Sequence, residues 1–324
     1  MNKTINSLDF TIAIATFNGA NRFPEVLDKL RQQTKIESIN WEIIVIDNNS
    51  KDNTSQIFQK YLQTWNLEIP LRYIFEPEQG LDFARNRALT EAKGELIGFL
   101  DDDNLPHKNW VAAAYNFAKT HLNAGAFNGQ VHGLFEIPPP ENLKPILPFL
   151  AIVERGSKPS RYQLKQKILP PGAGLVIRKQ AWLENVPEKL KLTGRIKGNS
   201  LSGEDVELLS YIQQSKWEIW YNPAMEIDYK IPAKRLEREY LIPMLRGVGL
   251  SRYVTRMLSV KPWQQPLVYP FYMLNDIRRI ILIVFKYKTR IKSNIVAACQ
   301  LELYVSSLIS PLYLWKNGYF SQSK

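Results

Sequence analysis

The amino-acid sequence predicts an α/β fold in which a parallel sheet is flanked by helices and followed by a helical, basic and aromatic C-terminal extension. Three observations predict it. Short apolar runs alternate with helical patterns over the first 132 residues, polar clusters follow three of these runs, and most of the net positive charge lies after residue 249. A chain of 324 residues that is 45% hydrophobic can bury a large core.

The predicted elements alternate in type along these first 132 residues. Strands are predicted where short β-branched or apolar runs occur, and helices where apolar residues recur every 3 to 4 positions, roughly. The predicted strands are 11–15, 42–46, 71–75, 95–100 and 124–131, and the predicted helices are 22–33, 53–65, 81–92 and 107–120. This alternation is typical of βαβ units. Because ligands bind beyond the carboxyl ends of the strands in such sheets, candidate site residues are expected there.

The following segment carries weaker patterns. Proline clusters at 138–140 and 145–148, and a basic stretch at 155–167, indicate loops. A short strand is predicted just before Arg178, and a helical run extends from about 202 to 213.

The net charge of +11 is unevenly distributed. Residues 250–324 contain eleven Lys and Arg against two acidic residues, so the first 249 residues are nearly neutral. The basic residues are interleaved with long apolar stretches, and no nucleic-acid partner is therefore expected. One cysteine, Cys299, excludes an intramolecular disulfide framework, and three histidines argue against a His-rich zinc centre.

Asp101, Asp102 and Asp103 directly follow a predicted strand. Three adjacent carboxylates repel one another unless a cation compensates them. Hard oxygen ligands suit Mg²⁺ or Mn²⁺, which typically combine one or two carboxylates with substrate phosphates. The alternative is an acidic turn in which Asp103 or Asn104 caps the next helix. We expect the metal site.

Polar residues also follow the first two strands. Thr16 and Asn18 come after the first, and Asp47 comes after the second. Asp47 either opens a local turn or accepts hydrogen bonds from a base or ribose. Arg85 lies near the start of a helix, which is a favourable place for an anion. Its alternative is an exposed pair with Asp82.

Two later segments are candidates as well. Gly172, Ala173 and Gly174 are small enough to let a bulky ligand approach the backbone, although a plain loop is the alternative. Glu204 and Asp205 open the helical run that follows Ser202. Acids there are ordinary first-turn residues, but a carboxylate in this position can also act as a general base.

In their order and spacing, these segments resemble the family 2 glycosyltransferases, which are nucleotide-sugar-dependent enzymes with the GT-A fold. The resemblance covers about residues 10–240, and each segment is weak singly. The matching segments are Thr-Ile-Ala-Ile-Ala-Thr-Phe-Asn (11–18), Glu-Ile-Ile-Val-Ile-Asp-Asn-Asn-Ser-Lys-Asp (42–52), Gly80 with Ala-Arg-Asn-Arg-Ala (84–88), Gly94 with Phe-Leu-Asp-Asp-Asp-Asn (99–104), Pro-Gly-Ala-Gly (171–174) and Gly-Glu-Asp (203–205). It implies a Rossmann-like mixed sheet flanked by helices.

The resemblance also implies a nucleotide site. Thr16, Asn18 and Asp47 would line the nucleotide pocket, with Asp47 on the base. Arg85 would help to hold the nucleotide or its diphosphate.

The implied metal and catalytic residues lie further along the chain. Asp101-x-Asp103 resembles the DxD motif, with these two residues as ligands of Mn²⁺ or Mg²⁺ and Asp102 as a sugar or ribose contact. The segment 172–174 resembles the acceptor-side loop. Asp205, beside Glu204, resembles the catalytic base of an inverting transfer.

The implied function is the transfer of a sugar from a nucleoside-diphosphate sugar, with UDP favoured, to a hydroxyl of a glycan or lipid-linked acceptor in polysaccharide biosynthesis. The catalytic domain would be 1–249, with a nucleotide-sugar half at 1–132 and an acceptor half at 133–249. One departure is the absence of the histidine that many relatives carry after a late strand. Asp228 or Tyr229 stands near that position.

Residues 250–324 are expected to form a helical, membrane-proximal extension. Apolar residues at 277, 280, 281, 284 and 285 form one helical stripe flanked by basic residues, and a second apolar stretch at 295–315 contains Glu302 and Pro311. We expect amphipathic helices that lie on an anionic membrane surface. The alternatives are extra core, an oligomer contact or a membrane span. Because the N-terminus lacks an apolar leader and there is one thiol, a cytoplasmic location at the inner face of the plasma membrane is expected.

Other functions are less consistent with the sequence. A nucleotidyltransferase would show a Gly-rich loop with a nearby Lys after the first strand, and a dehydrogenase would show G-x-G-x-x-G. Neither is present. A catalytically silent nucleotide-sugar-binding or membrane-associated partner protein is the alternative from a different class, and it has less need of Glu204 and Asp205.

Overall fold

The computed structural model describes residues 8–65, 68–164, 168–192, 194 and 201–319. Residues 1–7, on which the expectation about a leader rests, and residues 165–167 of the expected basic loop lie outside them. The strands are β1 Leu8–Thr16, β2 Trp41–Asp47, β3 Leu71–Phe75, β4 Gly94–Asp101, β5 Asn104–Pro106, β6 Ala124–Phe135, β7 Ser160–Arg161, β8 Val176–Arg178 and β9 Glu218–Ile231. The helices are α1 Phe23–Arg31, α2 Thr54–Gln63, α3 Leu81–Glu91, α4 Trp110–Thr120, α5 Lys179–Asn185, α6 Glu204–Gln213, α7 Arg238–Met257, α8 Gln265–Tyr287 and α9 Ile295–Lys316.

These elements fall into two compact units. The first comprises Met1–Leu134, Ala151–Glu188 and Tyr211–Lys230. The second comprises Phe135–Leu150, Lys189–Ser210 and Ile231–Lys324.

The first unit is built on a mixed sheet. Its strand order is β3-β2-β1-β4-β8-β6-β9-β5, with β7 paired to β9. The first four strands are parallel, whereas β8 joins β4 in the antiparallel direction and β9 pairs antiparallel with β5 and β7. The mixed α/β sheet confirms the fold class that the resemblance implied. The alternation of strands and helices in the sequence indicated only its parallel half.

The parallel strands are apolar because helices cover both faces of the sheet. Every residue of β2 is buried. Glu42, near the start of β2, is a buried acid whose charge is compensated by its partners. It accepts hydrogen bonds from Thr11 Oγ1 at 2.9 Å, Arg72 Nε at 3.0 Å and Lys93 N at 2.9 Å. This cluster ties three strands together at the amino end of β2, away from the carboxyl ends where the candidate site lies.

Most predicted strands and helices of the first 132 residues are present with shifts of a few residues. The helix expected from residue 107 begins at Trp110, because the short strand β5 occupies 104–106. The long strand β9 was only partly indicated by the sequence. It contains Pro223, which is uncommon inside a central strand and hides the strand pattern.

The second unit contains the three long C-terminal helices. α7 and α9 approach closely at Gly249, where a Cβ would lie 2.5 Å from the carbonyl oxygen of Leu303. Asp276 of α8 is buried, and its carboxylate accepts both Arg256 Nη1 and Nη2, at 2.6 and 2.9 Å, and Ser307 Oγ at 2.6 Å. A buried charge paired in this way fixes α8 against α7 and α9.

Among the described residues, α9 is the one helix that is long and apolar enough to cross a membrane by length and composition, with a mean hydropathy of 1.5. Buried core helices meet the same criterion, and 44% of its apolar window is buried inside the protein. α7 runs without a break across residue 249. The division into a catalytic part at 1–249 and an extension at 250–324 remains a prediction about function.

Candidate active site

The carboxyl ends of β2, β1 and β4 lie side by side. Thr16 is opposite Asp47 in the register of β1 and β2, and Ala15 is opposite Asp101 in the register of β1 and β4. The structure therefore brings Thr16, Asp47 and Asp101 to one edge of the sheet in the first unit. Side chains at this edge are positioned to meet a common ligand.

Asp102 is held by Thr16, the last residue of β1, and by Arg22, which follows β1. Its Oδ1 accepts a hydrogen bond from Arg22 Nε at 2.8 Å, and its Oδ2 accepts from Arg22 Nη2 at 2.9 Å and from Thr16 Oγ1 at 2.8 Å. The hydrogen bond to Asp102 raises the pKa of Arg22. Since a carboxylate offers about four lone-pair sites, Asp102 keeps acceptor capacity for a ligand.

Gly19 packs directly against this pair. A Cβ at position 19 would lie 1.9 Å from Thr16 Oγ1 and 2.5 Å from Asp102 Oδ2. A side chain larger than hydrogen would therefore displace both groups.

Asp101 and Asp103 lie on either side of Asp102. Asp103 is buried and Asp101 is half-buried. The fully buried Asn104 braces them, because its Oδ1 accepts from Asp101 N at 3.1 Å and its Nδ2 donates to Asp103 Oδ1 at 3.1 Å. Neither Asp103 nor Asn104 caps the next helix, since Asn104 begins β5 and the residue at the N-cap of α4 is Asn109.

This donor set fits a divalent cation that is bound together with a diphosphate. No group of three or more His, Cys, Asp or Glu side chains placed to hold a metal ion occurs in the described part of the chain. Mg²⁺ sites commonly use one or two carboxylates and complete the shell with substrate phosphates and waters. Asp101 and Asp103 are two such hard donors, and Arg22 compensates the charge of Asp102 between them.

Asp47 is buried and bonded on both oxygens. Its Oδ1 accepts from Ser50 N at 2.9 Å, and its Oδ2 accepts from the hydroxyl of Tyr73. Burial, reinforced by Asp47, raises the pKa of Tyr73 to about 12. The local turn that was the alternative role of Asp47 is thus present. It fixes the carboxylate at the strand end and leaves lone pairs for a ligand.

Asparagine side chains tie the neighbouring loops to one another. Asn18 has a φ of 49°, and its Oδ1 accepts from Lys51 N at 2.7 Å. Asn48 Oδ1 accepts from Gly80 N at 2.7 Å, which joins the loop after β2 to the start of α3. The loops around the strand ends are therefore held by hydrogen bonds before any ligand binds.

Arg85 lies in α3 and is buried, with its guanidinium 5.8 Å from the centre of the Phe99 ring. Asp82 is buried as well. The alternative of an exposed helical arginine is therefore wrong. Since Phe99 belongs to β4, Arg85 lies over the strand that leads into Asp101.

Gly172, Ala173 and Gly174 are buried beside β4. Leu175 O accepts from Phe99 N at 2.8 Å, and Leu175 N donates to Gly172 O at 3.2 Å, so residues 172–174 form a turn. Because β8 runs antiparallel to β4, this turn lies at the end of β4 that leads into Asp101. Gly174 has a φ of 64°, which favours glycine. The expected acceptor-side loop thus lies at the same edge as the carboxylates.

Glu204 and Asp205 lie in the first turn of α6, in the second unit. Glu204 is buried and accepts from Gly203 N at 2.9 Å, whereas Asp205 is half-buried. The fully buried acid of this helix is Glu207, which accepts from Lys191 N and Leu192 N at 3.0 and 2.8 Å. Burial raises the pKa of Glu207 despite these donors.

The late strand β9 carries the two residues considered in place of a histidine. Asp228 Oδ1 lies 3.3 Å from His107 Nε2, and Tyr229 is opposite Asn104 and packs against the main core. On the same face as Asp228, Glu226 Oε2 lies 2.9 Å from His132 Nε2. Burial lowers the pKa of His132, but its hydrogen bonds to Glu226 and Glu154 outweigh burial and raise it.

Three residues of the site were not found from the sequence: Arg22, Gly19 and Tyr73. Each acts on a candidate residue from a different loop or strand. In the sequence, Arg22 is visible only as a basic residue a few positions after Thr16 and Asn18. It becomes informative once the parallel register of β1 and β4 is known, because that register brings the segment after β1 beside Asp101.

A sequence-family model matches the part of the chain that forms most of this edge of the sheet. The model for glycosyl transferase family 2 matches residues 11–174, which is half of the chain. The chain belongs to glycosyl transferase family 2. The match begins at β1 and ends at Gly174, so it includes the strand ends with Thr16, Asp47 and Asp101.

Curated relatives match over a shorter part. The glycosyltransferase AglE of Haloferax volcanii is 32% identical over 102 residues, which is 31% of this chain and 32% of AglE. The poly(ribitol-phosphate) beta-N-acetylglucosaminyltransferase TarS of Staphylococcus aureus is 30% identical over 114 residues, 35% of this chain and 19% of TarS. The matched parts thus span about a third and a fifth of these two proteins.

Solved structures match over nearly the whole chain. Residues 1–349 of TarS in complex with UDP-GlcNAc superpose with a TM-score of 0.53 at 17% identity, covering 96% of this chain and 92% of that chain. The mannosyltransferase PcManGT of Pyrobaculum calidifontis, in complex with GDP-Man and Mn²⁺, superposes with a TM-score of 0.60 at 15% identity, covering 95% and 88%. This likeness shows the fold, which is the GT-A type.

Proposed function

We propose that this family 2 member is a metal-dependent inverting glycosyltransferase. It would move a sugar from a nucleoside-diphosphate sugar to a hydroxyl of a glycan or lipid-linked acceptor in polysaccharide biosynthesis. The observation that carries the proposal is the alignment of Thr16, Asp47 and Asp101 at the carboxyl ends of three neighbouring strands. All three positions lie within the family match, and we assign Thr16 and Asp47 to the nucleotide and Asp101 to the metal.

The donor side of the proposal assigns each of these residues a role. Thr16, Asn18 and Asp47 line the nucleotide pocket, and the buried Arg85 holds the diphosphate. Mg²⁺ or Mn²⁺ held by Asp101 and Asp103 would offset charge on the departing nucleoside diphosphate. Asp102, fixed by Arg22, contacts the sugar or ribose with its remaining acceptor sites.

The acceptor side of the proposal rests on a proton acceptor. Asp205 takes the proton of the acceptor hydroxyl, with Glu204 beside it, and Gly172 to Gly174 leave room for the acceptor. The hydroxyl oxygen attacks the anomeric carbon from the face opposite the diphosphate, and the bond to the diphosphate oxygen breaks with its electron pair. The configuration is inverted by this single displacement, as in inverting hydrolases with a sugar hydroxyl in place of water.

UDP-sugars are the donors that we favour, and UDP-GlcNAc comes first because a structure of TarS was solved with it. GDP-Man is the natural comparison, since PcManGT was solved with it. The experiment measures slow hydrolysis of a panel of UDP- and GDP-sugars with Mn²⁺, with Mg²⁺ and with EDTA. Metal-dependent hydrolysis of one donor supports the proposal, whereas binding without hydrolysis or transfer would favour a silent nucleotide-sugar-binding protein.

The metal part has a separate test that uses no turnover. Titration calorimetry of UDP with and without Mn²⁺ is compared between the wild type and Asp103→Ala. Mn²⁺ should raise the UDP affinity of the variant far less than that of the wild type. The loss should exceed the roughly 10- to 100-fold that is typical when a residue supporting a metal ligand, rather than the ligand itself, is removed. Glu95→Ala is the control, because Glu95 is an exposed acid in β4, the strand that leads into Asp103. Equal affinities for Asp103→Ala and the wild type would reject the ligand assignment.

We also propose a cytoplasmic location, peripheral at the inner face of the plasma membrane. The single cysteine, Cys299, is buried in α9, which suits a reducing compartment. Fractionation of cells at low and high salt tests the location. Recovery in the membrane pellet with release by salt is expected, and recovery in the soluble fraction at low salt would argue against it.

A further inference from the structure

The helix α8 presents an apolar surface on the side that faces away from its own unit. Trp263 just before the helix, and Leu267, Phe271, Leu274 and Phe285 within it, are 63–73% exposed. Soluble proteins rarely expose so many large apolar side chains on one element unless the surface has a partner.

The spacing of these residues makes them one face. With about 100° per residue, Leu267, Phe271, Leu274, Ile281 and Phe285 fall on one side of the helix. We call them the outer face of α8. Asp276 and Ile283, which are buried, fall on the opposite side. Helix α8 is therefore anchored by one side and apolar on the other, and the stripe expected from the sequence is only part of this surface.

The surroundings of the outer face are positively charged. Arg278 projects within it and Arg279 and Lys286 lie along one edge, all exposed. The 3₁₀ turn Lys288–Ile291 and Lys292 continue the basic charge. The only acid between residues 261 and 294 is Asp276, which is buried and paired with Arg256. The outer face thus combines apolar side chains with an uncompensated positive charge.

We propose that the outer face of α8 docks on an anionic lipid bilayer, with the helix lying in the plane of the membrane surface. Exposed Trp and Phe side chains enter the boundary between headgroups and acyl chains, and the flanking Arg and Lys contact anionic headgroups. The outer face of α8 shares no residue with the candidate active site. The inference rests on the peripheral membrane location proposed above and not on the proposed transfer chemistry.

Two other occupants fit the surface less well. A second copy of this chain would bring Arg278 and its basic neighbours against their own equivalents, which is unfavourable. A membrane-spanning role would carry Arg278 and Arg279 into the middle of the span, which is costly on insertion scales. Helix α9 is more apolar, but its polar side is already bonded inside the unit. Ser307 donates to Asp276, and Ser310 donates to the carbonyl oxygen of Leu250.

The test measures binding of the full chain to lipid vesicles by co-sedimentation. Vesicles of phosphatidylcholine with about 30% phosphatidylglycerol, an anionic lipid, are compared with pure phosphatidylcholine at low and high salt. Substitutions are preferable to truncation at about residue 262, because truncation would remove α9, which packs against α7.

Two variants separate the apolar and electrostatic contributions. Phe271→Ser/Phe285→Ser should weaken binding to the anionic vesicles by at least about 10-fold. Arg278→Gln/Arg279→Gln/Lys286→Gln should weaken it by about 100-fold at low salt and much less at high salt. All five side chains are exposed, so unchanged thermal unfolding should accompany both effects.

The matched controls remove equivalent groups elsewhere. Leu122→Gln/Leu183→Gln removes two apolar side chains of similar exposure, and Lys119→Gln/Lys144→Gln/Lys216→Gln removes three exposed charges. Both should bind like the wild type. The proposal is overturned if the wild type does not sediment with anionic vesicles, or if the α8 variants bind no more weakly than these controls. A wild-type dimer that Phe271→Ser/Phe285→Ser makes monomeric would overturn it in favour of a second copy.

Discussion

Arg22 holds Asp102 with two parallel hydrogen bonds, from Nε to Oδ1 at 2.8 Å and from Nη2 to Oδ2 at 2.9 Å. The Arg22 side chain is 45% exposed and that of Asp102 is 10% exposed, so the pair lies where solvent and ligand can reach it. Such a fork fixes the plane of the carboxylate as well as its charge. Arg22 is therefore a positioning residue for Asp102.

Replacing Arg22 by Lys should keep the charge and lose the fork. Because the pair is partly exposed, the free energy of unfolding should fall by no more than about 1 kcal/mol. Affinity for the nucleotide sugar should fall by about 10-fold, as expected for loss of a supporting residue. Calorimetric titration of the donor in the presence of Mn²⁺ measures this. Arg31→Lys is the control, because Arg31 ends the helix that begins directly after Arg22. Equal losses in both variants would contradict the positioning role.

Gly19→Ala should disturb the same carboxylate by steric contact. Gly19 does not have a positive φ, so the backbone accepts alanine, but the new Cβ would meet Thr16 Oγ1 and Asp102 Oδ2. Overpacking of this kind costs about 1–3 kcal/mol. Denaturant unfolding measures it, and the double variant Thr16→Ala/Gly19→Ala should recover part of the loss. Strict additivity of the two substitutions would contradict the contact.

The sequence predicted the parallel half of the fold and the edge where the candidate site lies, because both follow from local patterns. Asp101 follows an apolar strand and Asp47 follows a β-branched one, so their strand ends could be placed without any knowledge of tertiary contacts. Arg22, Tyr73 and Gly19 could not be assigned in that way. Each acquires its role from a partner in another strand or loop.

The same reasoning explains the C-terminal helices. The stripe at 277–285 was visible as an amphipathic pattern, but α8 is apolar on both its buried and its exposed sides. Periodicity cannot tell which of two apolar sides is buried. The pairing of Asp276 with Arg256 and Ser307 decides it, and that pairing depends on α7 and α9.

Tyr73→Phe should leave the buried Asp47 with one donor fewer. The hydrogen bond from Ser50 N remains, so the carboxylate stays in place but loses the partner of Oδ2. The free energy of unfolding should fall by about 1–3 kcal/mol, the usual cost of leaving a buried polar group unpaired. Thermal and denaturant unfolding measure this. Tyr115→Phe, whose hydroxyl lies 3.4 Å from the half-buried Asp9, should cost less. A larger loss for Tyr115→Phe would show that burial of Asp47 is not the cause.

His132 should make stability depend on pH. Its pKa in the folded chain is raised by Glu226 and Glu154, which outweigh burial, and His107 and Asp228 lie in the same cluster. A histidine with a raised pKa contributes stability that is fully present below about pH 6.5 and is lost as the pH rises through its folded pKa.

The wild type should therefore have a higher free energy of unfolding than His132→Gln at about pH 6, and the difference should be smaller at about pH 8.5. These two pH values bracket the pKa of about 6.5 of a histidine in an unfolded chain. Denaturant unfolding at the two pH values measures it. Glu226→Gln should reduce the same pH dependence, because it removes the closer carboxylate. An advantage that grows with pH would contradict the direction of the pKa shift.

Asp205→Asn should separate binding from chemistry. Asn keeps the size of Asp205 but cannot take a proton, so a general base at this position would lose about 10²- to 10⁴-fold in kcat with little change in donor affinity. Steady-state transfer and donor binding are measured on the same preparations. Glu204→Gln should have a smaller effect, because that carboxylate is buried and bonded to Gly203 N. Retained turnover in Asp205→Asn would remove Asp205 as the base, and a larger loss in Glu204→Gln would transfer the role to its neighbour.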